Sequence, residues 1–271
     1  EVSVVYHSLN GLWKMRELTK EISYDVNIPG SVLSGLLKHG VIKDPYYRTN
    51  EYEVREEMRN DYEFVTEFTL EKSFLEKDCI DLVCYGIDTI ADIYLNGTFI
   101  GSTNNMHRTY RIPCKPYLGL ENELKVVIHS PIEYIEAYES EEDKEITYIP
   151  SGGMKGNQYL RKTHSMFGWD WGAQLPDMGI FRDVVFEAYS EIKLGNAKFE
   201  QIHKDEFVQL NIEVDVDVIG SDEELYELLI TMIDPNGTEI VNQKEQIKEG
   251  RSNISVIIED PKLWWPNGLG K

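Results

Sequence analysis

Between residues 208 and 218 every second side chain is apolar. Val208, Leu210, Ile212, Val214, Val216 and Val218 alternate with Gln209, Asn211, Glu213, Asp215 and Asp217. A strand sends successive side chains to opposite faces, so this segment carries one dry face and one wet face. A sheet with one dry face needs a second layer against it. The same period of two runs through residues 62–70, where Tyr62, Phe64, Thr66, Phe68 and Leu70 oppose Glu63, Val65, Glu67 and Thr69. Residues 80–85 form a continuous apolar-rich strand. Residues 91–95 and 98–101 flank Asn96-Gly97, the dipeptide that a type I′ hairpin turn demands. Further strands are predicted at residues 124–128 and 184–188.

Two helices interrupt this pattern. Residues 31–39 place Val32, Leu33, Leu36 and Leu37 on one stripe, with Gly40 as the stop. Ser130-Pro131-Ile132-Glu133 reads as a capping box with proline at the first helical position. A boundary falls near residues 189–193. Beyond it the strand rhythm restarts, with strands at 208–218, 225–233, 240–247 and 254–258. Pro235-Asn236-Gly237 supplies a turn between two of them, and its Asn-Gly pair is again read as type I′. The expectation is an all-β chain: a jelly-roll β-sandwich over residues 1–190, then an immunoglobulin-like β-sandwich over residues 191–271. No Cys–Trp–Cys pattern marks the second as antibody-like. Residue 271 falls where its last strand is due, which predicts an unpaired edge and self-association of the chain.

Charge narrows the partners. The net charge is −21, whereas a nucleic-acid binder needs a basic surface to displace counterions from phosphates. Nucleic acid and anionic membranes are therefore excluded as partners. No apolar run approaches the roughly 18 residues of a membrane span, and the start Glu1-Val2-Ser3-Val4 has no signal-peptide character. The three cysteines, Cys79, Cys84 and Cys114, are too few and too uneven for a disulfide framework. Cys84 reads as a small buried hydrophobe. A reducing, cytoplasmic setting is expected. No Cys/His group has zinc-site spacing, and the acidic run at 139–145 lacks the Gly and Asx spacing of a calcium loop. No metal and no cofactor is expected.

The densest chemical signal is Met166-Phe167-Gly168-Trp169-Asp170-Trp171-Gly172. The glycines permit backbone angles that other residues avoid, so the segment is expected as a shaped loop. Sugars are recognised by flat apolar faces against their C–H edges and by strong acceptors for their hydroxyls. A tryptophan supplies the first and an ionised aspartate the second. Core packing is an equal reading for the two tryptophans on physics alone. Asp170 between them demands either an internal partner, such as Arg161, Lys162 or His164, or a ligand, because an unpaired buried acid costs several kcal/mol. His107 and Arg108 read as structural, with Arg108 anchoring a strand end or pairing with an acid.

The run Phe167-Gly-Trp-Asp-Trp-Gly172 resembles a signature of the β-mannosidases of glycoside hydrolase family 2. Similar likenesses lie in Asn10-Gly-Leu-Trp13, Ile28-Pro-Gly-Ser31, Ile42-Lys-Asp-Pro-Tyr-Tyr47 with Asn50-Glu51, and Gly86-Ile-Asp-Thr-Ile-Ala-Asp-Ile-Tyr-Leu-Asn-Gly97. Asn105-Met-His-Arg108 and Leu263-Trp-Trp-Pro-Asn-Gly268 complete the series, in order, over essentially the whole chain. Two departures are Ala173, where proline is expected, and the stretch Arg55-Glu-Glu-Met58 with Tyr62, where the pattern is richer in tryptophan.

The resemblance implies a galactose-binding-like jelly roll, an immunoglobulin-like domain and then a C-terminal (β/α)8 barrel as intramolecular partner. It implies removal of terminal non-reducing β-D-mannose from β-mannosides or oligosaccharides, with retention. Retention needs two carboxylates about 5 Å apart; in this family both are glutamates of the barrel, so no catalytic residue is assigned in this chain. Glu56, Glu57 and the 139–145 run are read as solvated surface. By position, Asp170 accepts from mannose hydroxyls while Trp169 and Trp171 wall the pocket. Arg161, His164 and Arg108 are candidates for orienting that segment. The rival readings are a family 2 enzyme of β-glucosaminidase or β-galactosidase type, and a non-catalytic carbohydrate-binding module.

Overall fold

In the computed structural model, which describes residues 4–141, 152–220 and 223–269, the alternating segments are strands and their apolar sides are the buried ones. The chain divides into two units, Val5–Ala188 and a second that begins at Tyr189.

The first unit opens with β1 (Val5–Ser8), β2 (Gly11–Glu17), β3 (Ser23–Ile28), β4 (Gly30–Ser31), α1 (Val32–Lys38) and α2 (Asn50–Glu57). It continues with β5 (Tyr62–Thr69), α3 (Lys72–Leu75), β6 (Cys79–Cys84), β7 (Ile87–Asp88), β8 (Ala91–Leu95), β9 (Thr98–Thr103) and β10 (Tyr110–Pro113). It closes with β11 (Glu121–Ile128), α4 (Pro131–Glu141), β12 (Phe167–Trp169), β13 (Gly172–Gln174), β14 (Gly179–Ile180) and β15 (Val184–Tyr189). A six-stranded sheet in the order β3-β2-β5-β11-β8-β9 faces a four-stranded sheet, β1-β15-β6-β10. Their inner faces share one core. Trp13, Met15, Phe64, Ile93 and Val126 come from the larger sheet, and Leu82, Cys84, Val184 and Phe186 from the smaller. Trp13 can be buried because its indole N–H donates to the Leu9 carbonyl at 2.7 Å. Tyr62, one of the departures noted above, is also buried and donates its hydroxyl to Glu57 at 3.2 Å.

Local signals hold at several points. Asn96 and Gly97 have φ of +51° and +77°, as type I′ requires, and join β8 to β9. Ser31 caps α1, with Gly40 at φ +68° beyond its end. Leu37 departs from the predicted stripe: it is exposed, while Val32, Leu33 and Leu36 are buried. The capping box of α4 is only half formed. Ser130 Oγ accepts from the Glu133 N–H at 3.1 Å, but the Ser130 N–H donates to Asp61 at 2.8 Å. The Glu133 carboxylate is drawn away to Arg59, a charge-assisted bond that outcompetes a cap. Helices α2 and α3 carry no predictive stripe; α2 buries only Val54 within its length. Cys84 and Cys114 are buried thiols whose pKa values burial pushes up to about 12, and all three cysteines are free.

At the end of β11, His129 lies between Asp61 at 2.9 Å and Asp92 at 3.0 Å. Burial opposes a charged ring, but the two carboxylates outweigh it and raise the His129 pKa above its ordinary value. A raised folded-state pKa means that the stabilisation is complete below the unfolded-state pKa and is lost as pH rises through the folded one. His7, whose pKa burial lowers, contributes with the opposite sign in the window where histidines titrate, so the parent is compared with His129→Gln. The loss of urea midpoint caused by His129→Gln in the first unit should be larger near pH ~6 than near pH ~8; an equal loss at both would refute the assignment.

In the second unit β16 (Ile192–His203), β17 (Phe207–Val218) and β20 (Arg251–Glu259) form one sheet, and β18 (Glu227–Ile233) and β19 (Glu239–Gln246) another. Leu210, Ile212, Val214, Val216, Ile254 and Val256 of the first meet Leu228 of the second. Strand β16 escapes sequence detection because most of it is exposed, Leu194 and Phe199 included. The second Asn-Gly turn is not type I′. Gly237 has φ +87°, but Asn236 has none of the positive φ that type requires. Asp234 takes over instead: its carboxylate accepts from the N–H groups of Asn236 at 2.7 Å and Thr238 at 2.9 Å, building a longer loop.

Candidate functional site: the Trp-Asp-Trp hairpin

The segment expected as an irregular loop is a β-hairpin. Strands β12 and β13 pair antiparallel, with Phe167 opposite Gln174 and Trp169 opposite Gly172, so Asp170 and Trp171 form the turn. The glycine that suggested a loop serves a close approach instead. Gly168 has φ +95°, and a Cβ there would lie 2.5 Å from Cγ of Gln174. A Cβ would also meet the Gly152 carbonyl oxygen at 2.9 Å, so a side chain at this position is disfavoured both by space and by backbone angle.

At the tip, Asp170 is exposed and has no hydrogen-bond or ion-pair partner among the described residues. Trp171 is 83% exposed and Trp169 41%, which removes the core-packing reading for both. Their rings are tilted at 43° with centroids 6.4 Å apart. The tip therefore offers two apolar faces and one carboxylate to whatever approaches it, the pairing of surfaces that a sugar ring requires.

The root is anchored. Phe167 is fully buried with Ile135 of α4 and Leu160. The Met154 N–H donates to the Phe167 carbonyl at 2.9 Å, and the Leu175 N–H to the Met166 carbonyl at 2.9 Å. Gln174 donates from its amide to the Gly152 carbonyl at 2.7 Å and accepts from the Arg55 guanidinium of α2. Beside β13 lies an open groove of about 410 Å³, lined by Leu37, Ile42, Tyr46, Met166, Ala173 and Leu175 among others, which accounts for the exposure of Leu37.

Lys162, one of the proposed partners of Asp170, is committed elsewhere. Its side chain is fully buried and ion-paired with Asp88 of β7, itself 5% exposed, and it also donates to the Asp177 carbonyl. Burial pulls the Lys162 pKa down against the pull of Asp88. Burial also raises the Asp177 carboxyl, although that group accepts from the N–H groups of Leu33 at 3.0 Å and Met178 at 2.8 Å. These contacts stitch the segments on either side of the hairpin to α1 and β7.

The structure thus brings Trp169, Asp170 and Trp171 together at one tip. Arg161 is exposed and bridges Asn105 through its backbone. Arg108 lies over the Tyr110 ring at 5.7 Å. His164 stands just before β12, with Nε2 3.4 Å from the Leu160 carbonyl. Sequence reasoning missed Arg55 and Gln174 as supports of the hairpin, because nothing in their spacing marks a contact 119 residues apart. Of the acidic residues read as surface, Glu56 pairs with Arg59 at 3.1 Å; residues 142–145 lie outside the described residues. Among the described residues no cluster of His, Cys, Asp or Glu could hold a metal ion, and no helix is long and apolar enough to cross a membrane.

The sandwich fold has a class to match it: residues 13–182 fit the glycosyl hydrolase 2 galactose-binding domain-like family, to which the chain belongs. Within that class it is similar to the β-mannosidases. It is 30% identical to the β-mannosidase of Capra hircus over 98% of this chain and 32% of the relative, and 28% identical to that of Mus musculus over 97% and 31%. The β-D-mannosidase of Dictyoglomus thermophilum superimposes with a TM-score of 0.89 at 29% identity, over 98% of this chain and 33% of that one. The exo-chitosanase of Amycolatopsis orientalis, at TM-score 0.65 and 19% identity, shares the fold. The chain spans about one third of the length of these relatives.

Proposed function

We propose that the chain is the N-terminal part of an exo-β-mannosidase, which removes terminal non-reducing β-D-mannose with retention, and that its hairpin tip completes the pocket for the terminal sugar. One observation carries this reading: a carboxylate with no partner among the described residues stands exposed between two exposed tryptophans, on a hairpin whose root is anchored. Such a carboxylate accepts from two neighbouring hydroxyls, and the indole faces cover the C–H edges of the ring. Proton transfer and nucleophilic attack belong to a pair of glutamates in a (β/α)8 barrel that partners this scaffold in the full-length protein. The sandwiches act as a jelly-roll sugar-binding domain and an immunoglobulin-like spacer. Free cysteines, two of them buried, fit a cytoplasmic setting.

An aryl-glycoside panel on the full-length protein tests the substrate. Hydrolysis of the β-mannoside alone supports the proposal, and preference for a β-glucosaminide or β-galactoside replaces it. The chain by itself should not hydrolyse an aryl β-mannoside and should bind free mannose very weakly, because one hairpin supplies only part of a pocket. Turnover by the purified chain above the blank would place catalytic carboxylates here after all.

A further inference from the structure

A two-stranded hairpin is marginally stable on its own in water. Among the described residues, strands β12 and β13 join no larger sheet. The direction of Asp170 is therefore set by what braces them. One brace is apolar: Phe167 packs against Ile135 of α4. Beside the backbone bonds at Phe167 and Met166, a polar brace runs to α2, where the Arg55 guanidinium donates to Gln174 Oε1 and also lies 5.3 Å from the Tyr52 ring centroid. Gln174 passes the constraint on, since its amide N–H donates to the Gly152 carbonyl at 2.7 Å. Gly152 in turn touches the tip strand so closely that a Cβ there would lie 2.8 Å from the Trp169 carbonyl oxygen and 3.0 Å from the Asp170 nitrogen.

The two braces are tied to each other. Arg59, one turn beyond Arg55, donates to Glu133 at 2.8 Å and to both carboxylate oxygens of Glu136 at 2.8 Å, both residues lying on α4. The hairpin, α4 and the segment made of α2 with the turn after it therefore form a closed triangle, each side held by at least one contact. Such a frame fixes direction better than any single contact, because a tilt of the hairpin must break two sides together.

We propose that Arg55 is a positioning residue for Asp170, acting through Gln174 and Gly152 to aim the hairpin tip; this rests on the reading of the tip as sugar-binding. A guanidinium suits the role because its planar fork holds direction in a way a point charge does not.

The test has two readouts. In this chain, amide hydrogen exchange at residues 168–172 should quicken about tenfold in Arg55→Met, the scale of one lost bond to a charged group. Exchange in β5 and β11 should stay as in the parent chain, which shows that the sandwich is intact. In the full-length protein, kcat/KM for an aryl β-mannoside should fall about tenfold, short of the hundredfold that follows a misplacement of about 1 Å. The fall should lie in kcat more than in KM. Gln174→Leu should match Arg55→Met, the double variant should be no worse than either, and Arg55→Lys should recover part of the loss. Unchanged exchange at the tip, or additive losses in the double variant, would overturn the proposal. Asp170→Ala serves as the separate control: if it is silent while exchange at the tip quickens in Arg55→Met, the brace stands and the sugar-binding reading of the tip fails.

Discussion

Asp170→Ala in the full-length protein should lower kcat/KM for an aryl β-mannoside by about a hundredfold, equivalent to ~2.7 kcal/mol of transition-state binding. The magnitude follows from what the side chain does in the proposed complex. Each hydrogen bond between a charged group and a sugar hydroxyl contributes about 1.5–3 kcal/mol. A carboxylate spanning two hydroxyls makes two, and part of that total grows only as the ring flattens toward an oxocarbenium-like state. The loss should therefore appear in kcat as well as in KM. Folding should be untouched, because the tip is exposed and the residue supports no internal contact among the described residues. Equal melting curves with a hundredfold kinetic loss constitute the expected pair of results. Near wild-type kinetics would remove Asp170 from the site.

Lys162→Met should destabilise the first unit by about 3–5 kcal/mol, the cost of leaving a buried partner charge unpaired. Here the pair is fully inside: Lys162 has no exposed side-chain surface and Asp88 is 5% exposed. Methionine fills similar volume but provides nothing for the Asp88 carboxylate or the Asp177 carbonyl that the ammonium now satisfies. For a unit of this size the melting temperature should fall by roughly 10 °C. The double variant Lys162→Met/Asp88→Leu should recover much of the loss, since removing both leaves no unpaired charge, although the Asp177 carbonyl and the Thr89 hydroxyl still lose a partner. A single variant as stable as the parent, followed by circular dichroism, would show that water or a neighbour replaces the ammonium. The result bears on function too. Lys162 precedes the hairpin and Asp177 follows it, so the pair holds both ends of the segment that presents Asp170.

Much of the fold was legible as pattern. Strands β5 and β17 follow from apolar residues at a period of two, because one face of each is buried in this chain. The turn at Asn96-Gly97 followed from backbone sterics alone. Where pattern and structure part, a longer-range contact has intervened. At Asn236-Gly237 the Asp234 carboxylate captured two backbone N–H groups and lengthened the loop. At Ser130 the Asp61 and Arg59 side chains, each some 70 residues away in sequence, divided a capping box between them. Strand β16 and helix α2 lack a dry stripe, so no periodicity announced them.

The chemistry of the tip, an acid between two indoles bounded by glycines, is a property of consecutive residues. The sequence by itself therefore determined which side chains a hairpin in this region presents, as it determined the all-β character of the chain. Tertiary structure alone decided that Asp170 faces outward while the nearby Lys162 is spent on Asp88, and that Arg55 and Gln174 meet across 119 residues. The physical reason is reach. Strand period, turn sterics and side-chain chemistry act over a few residues, whereas charge pairing and bracing depend on which distant segments the closed sandwich brings within about 3 Å.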